Sequence, residues 1–294
     1  MLYVGESLSL LSAILWALAI IFFRKSGRRV HPLSLNMFKN LLAFGLFIPT
    51  VYVFGETLLR PAPVQVYLIL LVSGFIGIAI GDTLLFGSLN NLGAGLSAIV
   101  VCLYSPFIIV LSLIFLKETL SALQILGAIM IIGAVLIATI RKQNHTENNT
   151  QLVTGVVLGI LASASMAVSV VIMKPILEVS PLVWTTLIRL CGGIIGLAVV
   201  FLLYPQRRAL VDSLITTRSW THTIIGSLIG AYAAMLIWLG GMKYTQASIA
   251  SALNQTSTIF IFVFAALLLN ERMDLRKTIG VVLAFAGSVL VTFF

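Results

Sequence analysis

The sequence predicts an all-α polytopic membrane protein of ten transmembrane helices in two inverted five-helix repeats, and three observations predict it. Of its 294 residues, 60% are hydrophobic and only 9% are charged, with a mean hydropathy of +1.13. The apolar stretches recur at about 20 residues, the length at which an α-helix crosses roughly 30 Å of hydrocarbon with every backbone group satisfied internally. The two halves of the chain also match each other in order and spacing.

Charges and turn residues place the spans at 5–23, 32–54, 64–88, 94–116, 121–140, 154–173, 181–204, 222–243, 247–269 and 275–294. At about 20 residues per span the chain has room for these helices and little else. The longest polar connection divides them five and five, giving a first repeat over 1–143, a connecting loop over 144–153 and a second repeat over 154–294.

The duplication is read residue by residue. At an offset of 150, Leu11-Ser12-Ala13 meets Leu161-Ala162-Ser163, Ala17 meets Ala167, Arg24 meets Lys174 and Lys39 meets Arg189. At an offset of 153, Gly77 meets Gly230, Gly87 meets Gly240, Ala94 meets Ala247, Glu118 meets Glu271 and Gly127 meets Gly280. The slip falls in the connection after the second span of each half, where a change of length costs least. Five is odd, so the second copy enters the membrane from the opposite face, and an inverted repeat places a shared cavity near the midplane.

Composition also bears on function class. The formal charge of +9 does not signal nucleic acid, because nearly all basic residues sit in short loops, where they set topology. Loops after the odd-numbered spans carry 12 Lys and Arg, and the opposite loops carry only Arg60, Lys117, Lys174 and Lys243. The positive-inside rule then puts both termini outside the cytoplasm, with the protein in a prokaryotic cytoplasmic membrane. The N-terminal stretch holds Glu6 and lacks the basic region of a signal peptide, so the first span is expected to stay. Cys102 and Cys191 lie in apolar runs without metal-ligand spacing and read as buried thiols, and no cofactor is expected. His31, His145 and His222 fall at loops or helix ends, which disfavours an intramembrane enzyme, and neither repeat offers a filter loop for a channel. The expected partners are a small-molecule substrate and the bilayer, with the oligomeric state left open and a monomer compatible with the sequence.

Ionised and polar residues inside apolar spans are the candidates for function, because each costs energy unless it meets water, a counter-charge or backbone carbonyls. In the second span Asn36, Lys39 and Asn40 share one helical face, and in the seventh Thr186 and Arg189 answer them. Lys39 and Arg189 lie about 10–12 Å past Pro32 and Pro181 at 1.5 Å per residue, too deep for easy snorkelling. Either the pair flanks a hydrated path that attracts an anionic or carboxylate-bearing solute, or it locks helices together through Asp82 or carbonyls. Asp82 breaks the internal symmetry, since its counterpart at offset 153 is Met235. It reads as a coupling carboxylate, a partner for Lys39 or an acid near the interface.

In the ninth span Ser251, Asn254, Gln255 and Thr258 form a polar stripe at i, i+3, i+4 and i+7. Solute contact is the favoured use of such a stripe, since bonds between helices return only about 0.6 kcal/mol each. Trp16, Tyr104 and Trp238 are candidate walls of the same cavity. Gly77-x3-Gly81, Gly155-x3-Gly159 and Gly226-x3-Gly230 read as seams of close helix approach. Glu118 and Glu271 read as organisers of a tight turn between helices.

These features together resemble the drug/metabolite transporter superfamily, in particular its ten-helix EamA-type members. The resemblance is carried by the duplicated unit, the Pro32-x6-Lys39 and Pro181-x7-Arg189 openings, the paired Glu-x8-Gly segments at Glu118 and Glu271, and Leu15-Trp16-Ala17. It implies a secondary carrier that moves small organic solutes such as amino acids, nucleosides or drugs by alternating access through a central cavity. A flippase for a lipid or lipid-linked headgroup is the alternative within transport. Typical members have cytoplasmic termini, opposite to what the charge bias here predicts.

Overall fold

The computed structural model describes residues 3–27, 30–116, 121–139, 149–217, 219–271 and 274–293, and among them there are helices and no strands. Glu118 and the segment 140–148 lie outside the described residues. In chain order the helices are α1 (Val4–Gly27), α2 (Pro32–Val53), α3 (Val64–Leu92), α4 (Ala94–Phe115), α5 (Ala122–Thr139), α6 (Asn149–Val179), α7 (Leu182–Leu203), α8 (Arg207–Ile215), α9 (Trp220–Tyr244), α10 in two pieces (Ala247–Asn254 and Ser257–Leu269) and α11 (Leu275–Phe293). Seven of them, α1 to α4, α6, α7 and α9, are each long and apolar enough to cross a bilayer.

The packing shows the inverted repeat directly. Helix α2 packs on α7, α4 on α10 and α5 on α11, each against its own counterpart, while α1 packs on α9 just as its counterpart α6 packs on α3. Such exchange of partners is what a pseudo-two-fold axis between two five-helix units produces. The outermost pair, α5 and α11, lies against the α4 and α10 side, and the other eight spans surround the centre.

Several spans start and stop for reasons visible in the sequence. Pro32 occupies the first turn of α2, and His31 Nδ1 accepts the Leu33 N–H at 3.2 Å. The free N–H groups at the start of α7 are taken by Glu56, from Val183 N at 3.3 Å and Trp184 N at 2.7 Å. Glu271 does the same for α4, accepting from Ala94 N at 2.8 Å and Gly95 N at 3.0 Å. It thus acts as an organiser, although on a helix of the opposite repeat. Gly93, at φ +82°, makes the corner, and a Cβ there would meet Glu271 Oε1 at 2.8 Å. Arg24 lies 3.7 Å from Glu271 and donates to Asn90 O at the end of α3. Its counterpart Lys174 donates to Met242 O and Thr245 O at the end of α9, so both repeats place a cation on the carbonyls that close the equivalent helix.

The structure departs from the expected spans in three respects. Between α7 and α9 the chain forms the short helix α8, whose Leu210 O and Ser213 Oγ bind Ser34 Oγ and His31 N at the start of α2. Its apolar face is a single buried residue, Leu210, too little to signal a helix. Helix α6 runs from Asn149 to Val179, past Lys174 and Pro175, because Lys174 folds back on the α9 carbonyls and need not reach the interface. Helices α4 and α10 are each broken at mid-length, around Cys102–Leu103 and Gln255–Thr256. Pro106 has no N–H to give to Cys102 O, which freely accepts from Gln255 Nε2 at 3.3 Å. The break in α10 has no proline; tighter bonds such as Thr258 N to Gln255 O at 3.0 Å replace the α pattern.

Helices α3 and α9 each carry a π-helical segment at equivalent positions, Phe75–Asp82 and Ser227–Ala234. Mid-span π turns concentrate at functional sites because they re-aim side chains and loosen the backbone ladder. Here they face the space between the repeats.

Candidate functional site

A cavity of about 120 Å³ lies between the two repeats, and each of the first four spans of both repeats except the opening span of the second supplies polar or aromatic groups to it. The first repeat gives Ser12 and Trp16 (α1), Lys39 (α2), Gly77, Ile78, Asp82 and Leu85 (α3), and Val101 and Tyr104 (α4). The second gives Met166 (α6), Arg189 (α7), Ala234, Met235 and Trp238 (α9), and Asn254, Gln255 and Ser257 (α10). Since one water needs about 10–15 Å³ of such space, the cavity can hold several waters or a small solute. Both helix breaks and both π segments border it.

Lys39 and Arg189 occupy equivalent places in the duplication yet meet different surroundings. Lys39 Nζ lies 2.5 Å from Asp82 Oδ2 and 5.6 Å from the centre of the Phe86 ring. The pair is buried, at 1% and 10% side-chain exposure, and taking either partner away would strand the other charge at about 3–5 kcal/mol. Asp82 is therefore the partner of Lys39, one of the roles expected for it. At the matching place in α9 stand Ala234 and Met235, so the second repeat has no such carboxylate.

Arg189 has no carboxylate within ion-pair distance among the described residues. Its Nε donates to Ser73 Oγ at 3.1 Å and its Nη2 to Ser169 Oγ at 2.7 Å, and Trp238 lies 5.5 Å below the guanidinium. Nη1 is buried and has no hydrogen-bond partner among the described residues. The Tyr104 hydroxyl on the same wall is likewise buried and unpartnered. Neither group is taken by the protein, so both are left for a ligand that satisfies them.

The backbone brings Arg189 to the cavity through glycine. A Cβ at Gly74 would lie 2.8 Å from the Arg189 carbonyl carbon and closer still to its oxygen, and one at Gly77 would reach 2.8 Å from Nη2. The Gly77-x3-Gly81 seam thus admits the guanidinium itself. In the other two seams Gly155 meets Leu92, Gly159 meets Val100, and Gly226 and Gly230 meet Phe23.

Of the residues singled out in the sequence, Trp16, Lys39, Asp82, Tyr104, Arg189, Trp238, Asn254 and Gln255 line the cavity together. Asn36, Asn40, Thr186, Ser251 and Thr258 do not line it. Asn36 Nδ2 is used on Ile78 O and Thr83 Oγ1, stitching α2 to the π segment of α3, and Asn40 Nδ2 turns back to Asn36. Thr186 bonds its own helix at Leu182 O, Ser251 is fully buried, and Thr258 meets Cys102 Sγ at 3.1 Å. The polar stripe of α10 therefore splits at the break, and Asn254 and Gln255 face the cavity. Sequence reasoning missed Ser73 and Ser169, since single serines are ordinary packing residues in membrane helices. No sequence signal points to them, because their place opposite Arg189 appears only in the assembled fold.

The EamA-like transporter family model matches the chain twice, over residues 3–140 and 153–293. An uncharacterized transporter of Archaeoglobus fulgidus is 22% identical over 280 residues, covering 93% of this chain and 92% of that protein. A probable 4-amino-4-deoxy-L-arabinose-phosphoundecaprenol flippase subunit, ArnF, of Photorhabdus laumondii is 32% identical over 80 residues, 25% of this chain and 64% of that protein. A solved crystal structure superposes with a TM-score of 0.70 at 17% identity, over 98% of this chain and 96% of the other, a likeness of fold alone. With its matching duplication and its helical architecture, the chain belongs to the EamA-like transporter family.

Proposed function

We propose that the protein is a secondary carrier for a small organic anion, bound between the repeats and passed across by alternating access. The observation that carries this reading is the Arg189 guanidinium on a residue that lines the cavity: buried, held by two serines, with no carboxylate at ion-pair distance among the described residues, and with Nη1 unclaimed. A buried cation in this state favours an anion strongly, because the anion repays a desolvation already incurred in folding. The rest of the wall is apolar and aromatic, with Trp16, Trp238, Met166 and Met235 suited to the body of an organic solute. Tyr104 and Asn254 supply further polar contacts. One chain encloses the cavity, so a monomer suffices.

The two-fold relation supports alternating access, since exchanging the conformations of two equivalent repeats opens one face as it closes the other. The bias of 12 basic residues against 4 supports a reading with both termini outside the cytoplasm of a prokaryotic cell, in its cytoplasmic membrane. The likeness to the ArnF subunit favours one second reading, a flippase that would seat a lipid-linked anionic headgroup on the same guanidinium. The small volume supports the free solute.

The test is uptake by proteoliposomes against a panel of labelled carboxylates, amino acids and nucleotides, with scrambling of a fluorescent anionic lipid as a parallel arm. Arg189→Gln is expected to abolish anion uptake, and Asn254→Ala to reduce it, in protein that still inserts and unfolds cooperatively. Normal uptake by folded Arg189→Gln protein would end this reading, and lipid scrambling without solute uptake would replace it with the flippase.

A further inference from the structure

Three ionised groups face the cavity, and two of them already cancel. Lys39 and Asp82 form a closed ion pair, and among the described residues no other Asp, Glu, Lys or Arg lines the space besides Arg189. The guanidinium is itself partly used. Ser73 Oγ donates to Ser169 O at 2.9 Å and Ser169 Oγ donates to Ser73 O at 2.8 Å. Each hydroxyl thus places its one proton on the opposite backbone and turns its lone pairs to Nε and Nη2. What remains for a ligand is one positive charge presented through one nitrogen.

We infer that the cavity is a monoanion site and that Asp82 sets this selectivity by neutralising Lys39. The inference rests on the reading of Arg189 as the anion contact and goes beyond it. A solute with one carboxylate and an apolar body places its charge on Nη1 and its body between Trp16 and Trp238. A second carboxylate on the same body meets no free cation, and stripping its hydration against a mainly apolar wall costs more than the remaining contacts return. A neutral analogue leaves Nη1 unsatisfied. The broken symmetry is what fixes the count. Two cations with a carboxylate in each repeat would sum to zero, and with a carboxylate in neither to two; one carboxylate, in α3 alone, leaves one.

The experiment compares three probes that share a phenyl body: phenylacetate, phenylmalonate in its dianionic form at neutral pH, and 2-phenylethanol. Binding to the full chain in lipid nanodiscs is read from intrinsic tryptophan fluorescence, since Trp16 and Trp238 line the cavity. The unaltered protein is expected to bind phenylacetate at least about tenfold more tightly than either other probe, the size expected for one unpaired charge or one idle donor. Asp82→Asn frees Lys39 and is expected to bring phenylmalonate level with phenylacetate or past it. If phenylacetate and phenylmalonate bind the unaltered protein equally, and Arg189→Gln abolishes both, charge selection is wrong while the anion contact stands. If neither anion depends on Arg189, the anion contact itself is wrong and the inference falls with it. Should Asp82→Asn fail to fold, the ratio of the two anions in the unaltered protein decides alone.

Discussion

Gly74→Ala tests the packing that delivers Arg189 to the cavity. The added methyl would stand 2.8 Å from the Arg189 carbonyl carbon and 3.0 Å from Gly193 N, and nearer still to Arg189 O. These are backbone atoms of α7, so they cannot swing aside as the end of a side chain could. Ordinary contact begins at 3.4 Å, so clearing the Arg189 carbonyl oxygen requires α3 and α7 to part by about 1.5 Å, at a cost of about 3 kcal/mol, the upper end for an overpacked core. The better helix propensity of alanine returns up to about 1 kcal/mol. Gly45→Ala is the matched control, because nothing lies within 4 Å of a Cβ there and only the propensity gain applies. Thermal unfolding in detergent should rank Gly45→Ala at or above the unaltered protein and Gly74→Ala below it. Anion affinity should fall only in Gly74→Ala, since the shift carries the guanidinium off its serines. Equal stability and equal binding in the two variants would refute the close approach of α3 and α7.

Ser73→Ala and Ser169→Ala each remove one acceptor from the guanidinium, worth about 0.5–1.5 kcal/mol. Anion affinity should therefore drop by roughly 2- to 12-fold, and neither change should add to the loss in Arg189→Gln, as a double-mutant cycle would show. Glu271→Gln weakens the bonds from Ala94 N and Gly95 N, which are 2.8 and 3.0 Å long, and it leaves Arg24 without its acid. The expected loss is about 1–2 kcal/mol, measured as a fall in unfolding temperature that Glu271→Asp does not fully relieve. His31 gives a pH signature. Burial lowers its pKa from 6.5, and its Nδ1 must be unprotonated to accept from Leu33 N. The contribution is complete above 6.5 and is lost as pH falls from there through the lowered folded value. His31→Asn, which keeps a capping acceptor, should flatten that part of the stability profile.

Much of the fold is legible in the sequence because a bilayer leaves few solutions for an apolar chain. Span lengths, the offsets of 150 and 153 and the odd helix count lead directly to the inverted repeat. The charges were legible for the same reason: Lys39, Asp82 and Arg189 stand out against hydrocarbon, and all three line the cavity. Face-sharing proved a weaker guide. Asn36 and Asn40 lie on the face of Lys39, yet Asn36 binds the π segment of α3, a feature no periodicity announces. Thr258 shares its stripe with Asn254 until the break at Gln255–Thr256 turns the two pieces apart. Pro106 lies just past the break in α4, a signal the span assignment did not use, and α10 breaks at the equivalent place without a proline. The serines that hold Arg189 come from α3 and α6, 96 residues apart in the chain, so only the assembled repeats reveal them.

In the proposed carrier a solute's anionic group sits on Arg189 Nη1 between the two repeats. The most direct measurement is a structure determined with 4-bromophenylacetate, whose bromine can be located by its anomalous signal. Bromine is expected between Trp16 and Trp238, with a carboxylate oxygen within hydrogen-bond distance of Nη1. Bromine found only outside the cavity, with Nη1 still unpartnered in protein shown to bind the compound, would contradict it.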